Sequence, residues 1–91
     1  MFRIVTPERF LRQARKFFRE RPELKPRFAR LITGLQNDPF APHLKLHPLQ
    51  GRLEGCHAVR LTCGYRVTLT LAISEKEIVL LDIGSHDEVY R

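Results

Sequence analysis

Residues 65–73 constrain the fold more than any other stretch of this chain. Tyr65, Val67, Leu69, Leu71 and Ile73 alternate with Arg66, Thr68, Thr70 and Ala72. Successive side chains of a strand point to opposite faces, so this period of two sets one face on a core and turns the other toward solvent or a ligand. Such a half-covered strand belongs to a sheet with a layer on one side only. The rest of the chain has to supply that layer.

Two helical patterns do so. Thr6-Pro7-Glu8 reads as a helix start, with Thr6 as cap, Pro7 at the first helical position and Glu8 at the positive end of the dipole. Phe10, Leu11, Ala14, Phe17 and Phe18 then fall on one face, while Arg9, Arg12, Arg15, Lys16 and Arg19 occupy much of the rest. Arg21-Pro22 breaks the pattern. A second helix carries Leu24, Phe28, Leu31, Ile32 and Leu35, has Pro26 in its first turn, and ends at Asn37-Asp38-Pro39.

Further strands flank the pair. Phe2–Val5 forms a short one. Residues 39–51, with three prolines and one glycine, read mainly as loop. Cys56–Thr62 forms a strand with His57, Val59 and Leu61 on one face and Arg60 on the other, and Cys63-Gly64 turns the chain. After a turn at Ser74–Glu77, Ile78–Ile83 is almost continuously apolar, which predicts a central strand covered on both faces. The order is strand, helix, helix, then three strands: an α/β (α+β) arrangement with a helical hairpin on one sheet face. Period-two reasoning leaves Arg60, Arg66, Thr68 and Thr70 on the open face.

Composition limits what such a sheet can serve. Ninety-one residues with 43% hydrophobic and 29% charged side chains make one small globular domain, residues 1–91. No apolar run approaches the roughly 18–20 residues of a membrane span, and the N-terminus lacks a signal peptide's apolar stretch, so a cytoplasmic protein without a membrane partner is expected. Cys56 and Cys63 are too few for a disulfide scaffold and read as buried or half-buried structural thiols. A Cys56 nucleophile with His57 as base is disfavoured, because neighbours on a strand diverge. The formal charge is +6, and eleven of the sixteen basic side chains lie in residues 1–50 against four of the ten acidic ones. That excess suits a polyanionic or acidic partner.

The candidate chemistry is correspondingly narrow. His43 and His47 have helical metal-pair spacing, but Pro42 and Pro48 flank them and no further ligand completes a set. No metal and no cofactor is expected, and neither a phosphate-binding glycine loop nor a nucleophile elbow is present. The basic face of the first helix reads equally as a phosphate contact or a solvated surface. Arg60 and Arg66 are more specific, since guanidinium forks beside short hydroxyls bind phosphate oxygens bidentately. The alternative is pairing with Glu54, Glu75 or a backbone carbonyl. His86 follows the most apolar strand, where a loop can present a proton donor or acceptor at the edge of that face. Tyr90 lies four residues on.

Three segments together carry a family resemblance. They are Leu44-Lys45-Leu46-His47-Pro48-Leu49-Gln50-Gly51-Arg52-Leu53-Glu54-Gly55, then Val59-Arg60-Leu61 with Gly64-Tyr65-Arg66-Val67, and Leu80-Leu81-Asp82-Ile83-Gly84-Ser85-His86-Asp87-Glu88-Val89-Tyr90. In length, element order and these motifs the chain resembles the RelE/ParE superfamily of type II toxins, most of all its RelE/StbE and YafQ-like branch. The resemblance implies a RelE-like domain, β-α-α-β-β-β, with a mainly antiparallel twisted sheet. It also implies an endoribonuclease (mRNA interferase) that cuts mRNA on the translating ribosome through the ribose 2′-hydroxyl, without metal, and is held inactive by a cognate antitoxin. Carried over, His86 is the general acid or base, and Arg66 and Arg60 neutralise the scissile phosphate. Lys45 and His47 orient RNA or shift a proton, Arg52 binds RNA, and Tyr90 stacks on or hydrogen-bonds a base or phosphate. Cys56-His57-Ala58 departs from the aromatic or serine pair common in relatives. Two other readings remain at this point: a ParE-like DNA gyrase inhibitor, and a non-catalytic antitoxin- or RNA-binding module.

Overall fold

The computed structural model describes residues 1–89. A first strand, β1 (Arg3–Val5), leads into α1 (Glu8–Glu20). Pro7, not Thr6, occupies the cap position. Its ψ of 156° is non-helical, its carbonyl accepts the Leu11 N–H at 3.0 Å, and no side chain caps the helix. The expectation of a Thr6 cap is corrected by that geometry. A single 3₁₀ turn over Pro22–Leu24 joins α1 to α2 (Lys25–Asn37), whose first turn contains Pro26 as expected. Asp38 ends α2 in extended conformation, and its Oδ1 accepts the Phe40 N–H at 3.0 Å.

Two helices pack on a five-stranded mixed sheet of order β1-β5-β4-β3-β2. Here β2 is His47–Pro48, β3 is His57–Arg60, β4 is Tyr65–Ala72 and β5 is Glu77–Ser85; α3 (His86–Val89) follows. Only β1 runs parallel to its neighbour, β5; the other pairings are antiparallel. This α+β arrangement is the expected one, with β2 and α3 added.

The core lies between the helices and the sheet. Phe10, Phe17, Leu31, Leu35, Val59, Val67, Leu69, Ile78 and Leu80 meet there, nearly all from the faces that sequence periodicity assigned. Phe28 closes the hairpin, its ring 5.1 Å from that of Phe18 and 6.3 Å from that of Phe10. The C-terminal end of α1 is fastened to β4. The Arg21 guanidinium lies 4.6 Å from the Phe17 ring centre and 4.8 Å from that of Tyr65, and its Nε donates to the Tyr65 hydroxyl at 2.9 Å.

Three expectations are corrected. Ile73 lies outside β4 and is 60% exposed, because the strand ends at Ala72 and Ile73 opens the turn that Lys76 closes by donating to its carbonyl. β5 is interior but not covered on both faces: Ile78, Leu80 and Ile83 are buried, whereas Val79 and Leu81 are half-buried. Its unbroken apolar run includes a register shift opposite Thr68/Leu69, which interrupts the period of two. Thr68 was expected on an open face, yet is 2% exposed. It sits on the central strand between Ala58 and Asp82, and α3 packs against β4 and β5.

Candidate functional site

The face turned away from α1 and α2 is built by cross-strand register. Val59 pairs with Val67, and both are core residues, so the alternate residues of β3 and β4 face the other way. Arg60 lies directly opposite Arg66, and Arg66 directly opposite Gly84. One row further along the same face run His47, Ala58 and Thr68. Directly opposed residues are about 4.5–5.5 Å apart and diagonal ones about 7–8 Å. The sheet thus places Arg60 directly opposite Arg66 on one face, and His47 one diagonal step from Arg60. Like charges directly opposite destabilise a strand pair by a few tenths of a kcal/mol up to about 1 kcal/mol. An anion between them removes that cost. Arg60 is exposed and Arg66 half-buried.

Gly84 leads through Ser85 to His86, the first residue of α3, which is exposed. The histidine therefore stands two residues past the position that faces Arg66, at the end of the same strand. Tyr90, the fourth residue predicted to act, lies outside the described residues.

The RNA-binding residues inferred from sequence sit along the opposite margin. Lys45 is exposed in left-handed conformation, φ 58°, and its carbonyl lies 2.9 Å from His47 Nδ1. That contact sets the ring of His47 as the chain enters β2. Arg52 is exposed in a 3₁₀ turn (Gly51–Leu53) and shares with His47 a depression of about 390 Å³. Gly51 at φ 69° and Gly55 at φ 95° bracket that turn, angles that glycine takes at no steric cost. The motif glycines thus suit the loop that carries Arg52.

His57 pairs with Leu69 and so faces the core side, as strand parity predicts; its Nδ1 is buried without a hydrogen-bond partner among the described residues. Cys56 is half-buried as expected, but Cys63 is exposed, a correction to the expected burial, because it lies in the bend between β3 and β4; both are free thiols. Among the described residues no group of three or more His, Cys, Asp or Glu side chains could hold a metal ion. No helix among them is long and apolar enough to cross a membrane. Asp82 lies opposite Thr68 on β5. Its carboxyl is raised above 3.8 because burial outweighs the attraction of Arg9, 3.4 Å away.

Two features escaped sequence reasoning. A groove of about 600 Å³ opens between α1 and α2, floored by Phe10, Phe18 and Phe28 and edged by Arg15, Arg19 and Lys25. A second depression gathers Arg27, Arg30, His43 and Arg60. The signal for the latter was the i, i+3 spacing of Arg27 and Arg30 on the polar side of α2; their meeting with residues 43 and 60 is tertiary.

Comparison with known proteins agrees with this architecture. No protein-family model and no curated protein sequence matches the chain. Among solved structures, YafQ from Escherichia coli superposes with a TM-score of 0.81 at 19% identity, over 100% of both chains. A metal-bound toxin from Helicobacter pylori does so with a TM-score of 0.80 at 26% identity, over 98% of this chain and 99% of that one. The toxin of the E. coli DinJ–YafQ toxin–antitoxin complex gives 0.78 at 20% identity, over 99% and 98%. The fold is that of the RelE/ParE-type toxins in their YafQ-like form.

Proposed function

We propose that this protein is the toxin of a type II toxin–antitoxin pair and acts as an mRNA endoribonuclease on the translating ribosome. The observation that carries the reading is the Arg60–Arg66 pair, directly opposed on antiparallel strands of the face that α1 and α2 leave uncovered, with His86 at the end of the neighbouring strand. Two forks so placed grip the two non-bridging oxygens of a phosphodiester and neutralise the charge that grows on them as the phosphorus becomes five-coordinate. Attack by the ribose 2′-hydroxyl forms a 2′-O–P bond and breaks the P–O5′ bond. The hydroxyl proton leaves to a base, and a proton is delivered to the departing 5′-oxygen. His86 serves as general acid or base in this exchange, a role that contributes about 10²–10⁴-fold. Lys45, His47 and Arg52 hold the strand along the opposite margin, and Tyr90 stacks on or hydrogen-bonds a base or phosphate.

The reaction as written is complete without a metal or cofactor. The domain spans residues 1–91 and works in the cytoplasm, where its substrate is. The partner that silences it is an acidic antitoxin, a reading supported by the YafQ relative solved together with DinJ. The α1–α2 groove, apolar in its floor and basic at its edge, suits an acidic amphipathic segment that orders on binding.

The test is induction of His86→Ala and Arg66→Ala variants, with growth and transcript integrity followed in the same cultures. Both are expected to lose mRNA cleavage and toxicity. Undiminished cleavage by both variants would remove the assignment, and inhibition of gyrase supercoiling with intact mRNA would replace it by the gyrase reading.

A further inference from the structure

The depression bounded by α2, the 3₁₀ turn Pro42–Leu44 and the end of β3 is a cation cluster that adjoins the cleavage row through Arg60. Its volume is about 360 Å³. Arg27 and Arg30 border it from α2, His43 from the turn and Arg60 from β3, over a floor that includes Leu31 and Leu44, which are 6% and 3% exposed. Among the described residues no carboxylate lines it. Arg27, Arg30 and Arg60 make no ion pair or hydrogen bond with any described residue, unlike Arg3, Arg9, Arg15 and Arg21, each of which has a carboxylate partner. Three arginines border one concave site over a packed floor, with no acidic residue among the described residues lining it.

We propose that this depression binds a phosphodiester of the RNA strand flanking the cut, as an anchoring site separate from the chemistry. The inference rests on the cleavage reading for its substrate, and Arg60 makes the link. Arg60 closes the row opposite Arg66 and also borders the depression, so a strand whose scissile phosphate lies between Arg60 and Arg66 continues over the end of β3 into the cluster. Guanidinium forks fixed by a helix and a turn suit phosphate oxygens. An RNA backbone is favoured over an acidic peptide because it offers one charge at each nucleotide on both sides of the cut, matching charges on both the row and the depression. Contacts of this kind set the register of the strand and carry no base specificity.

The experiment measures binding of a short 2′-O-methyl RNA oligonucleotide, which cannot be cleaved by 2′-hydroxyl attack, by fluorescence anisotropy across a salt series. The wild type is compared with Arg27→Gln/Arg30→Gln and with Arg12→Gln/Lys16→Gln, an equal charge change on the exposed face of α1. Each phosphate contact to a single strand contributes about 0.7 to the slope of log affinity against log salt. The Arg27/Arg30 variant is expected to lose about 1.4 of that slope and to bind all sequences more weakly, while the α1 variant loses less. All four side chains are exposed, so both variants are expected to melt as the wild type does. An unchanged slope in the Arg27/Arg30 variant overturns the proposal, as does an equal loss in the α1 variant. An unchanged slope with weakened binding of a polyglutamate peptide reassigns the site to an acidic protein segment. Binding and cleavage are read separately. If His86→Ala still cuts, the cleavage reading fails, while the salt slopes continue to decide the anchor.

Discussion

The contact between Arg21 and Tyr65 makes a quantitative demand on the fold that positions the site. Arg21 is the residue at which α1 ends, and Tyr65 immediately precedes Arg66 on β4. Replacing Arg21 by Ala removes the bond from Nε to the Tyr65 hydroxyl at 2.9 Å and two guanidinium–ring contacts, at 4.6 and 4.8 Å. A hydrogen bond of this kind is worth about 1 kcal/mol and each cation–ring contact about 0.5–1 kcal/mol. The expected loss is therefore about 2–3 kcal/mol. At about 4–8 °C per kcal/mol for a domain of this size, Tm falls by about 10–20 °C. Tyr65→Phe keeps the ring, including its edge-to-face contact with Phe17 at 5.1 Å, and loses only the hydroxyl, at about 1 kcal/mol. Urea denaturation of the two single variants and the double variant closes the cycle. Because both singles delete the same hydrogen bond, the double variant should be less destabilised than their sum by about 1 kcal/mol. Additivity within about 0.3 kcal/mol would refute the claim that this bond fastens α1 to β4.

Two further outcomes follow from a buried hydroxyl and a half-buried carboxyl beside the site. Thr68 is 2% exposed and its Oγ1 has no hydrogen-bond partner among the described residues, so Thr68→Val should raise stability by about 1 kcal/mol in urea melts; a loss of that size would show that the hydroxyl is satisfied in solution. Asp82 has a carboxyl raised above 3.8, chiefly by burial, so the folded state keeps a proton that the unfolded chain has released. Stability from this group is then present at the acid end and falls as pH rises from 3.8 through the folded value. Asp82→Asn should flatten that decline and be no less stable than wild type at neutral pH; a steeper decline would reverse the assignment.

How far the fold was legible depends on where each element draws its stability. β4 and α1 were readable because each is a local amphipathic pattern: Val67 and Leu69, or Phe10, Ala14 and Phe17, fall on one face whatever else the chain does. β2 was not. His47–Pro48 has two residues, one of them a proline, and becomes a strand only through pairing with His57 and Ala58. α3 is a single turn, below the length at which periodicity carries information. The burial of Thr68 reflects its central strand and the packing of α3, which parity cannot see. At the site, parity placed Arg60 and Arg66 on one face, and register then showed that they are directly opposite. That Arg60 also meets Arg27, Arg30 and His43 depends on bringing together three segments distant in sequence.

The most direct measurement is the chemistry of the cut ends. mRNA on translating ribosomes, incubated with the purified protein, should be cleaved to a 2′,3′-cyclic phosphate on one side and a 5′-hydroxyl on the other. Replacing the 2′-hydroxyl of the cut nucleotide by hydrogen should abolish cleavage there. Products bearing a 5′-phosphate, or undiminished cutting at the 2′-deoxy position, would contradict a mechanism in which His86 and the opposed arginines promote attack by the ribose.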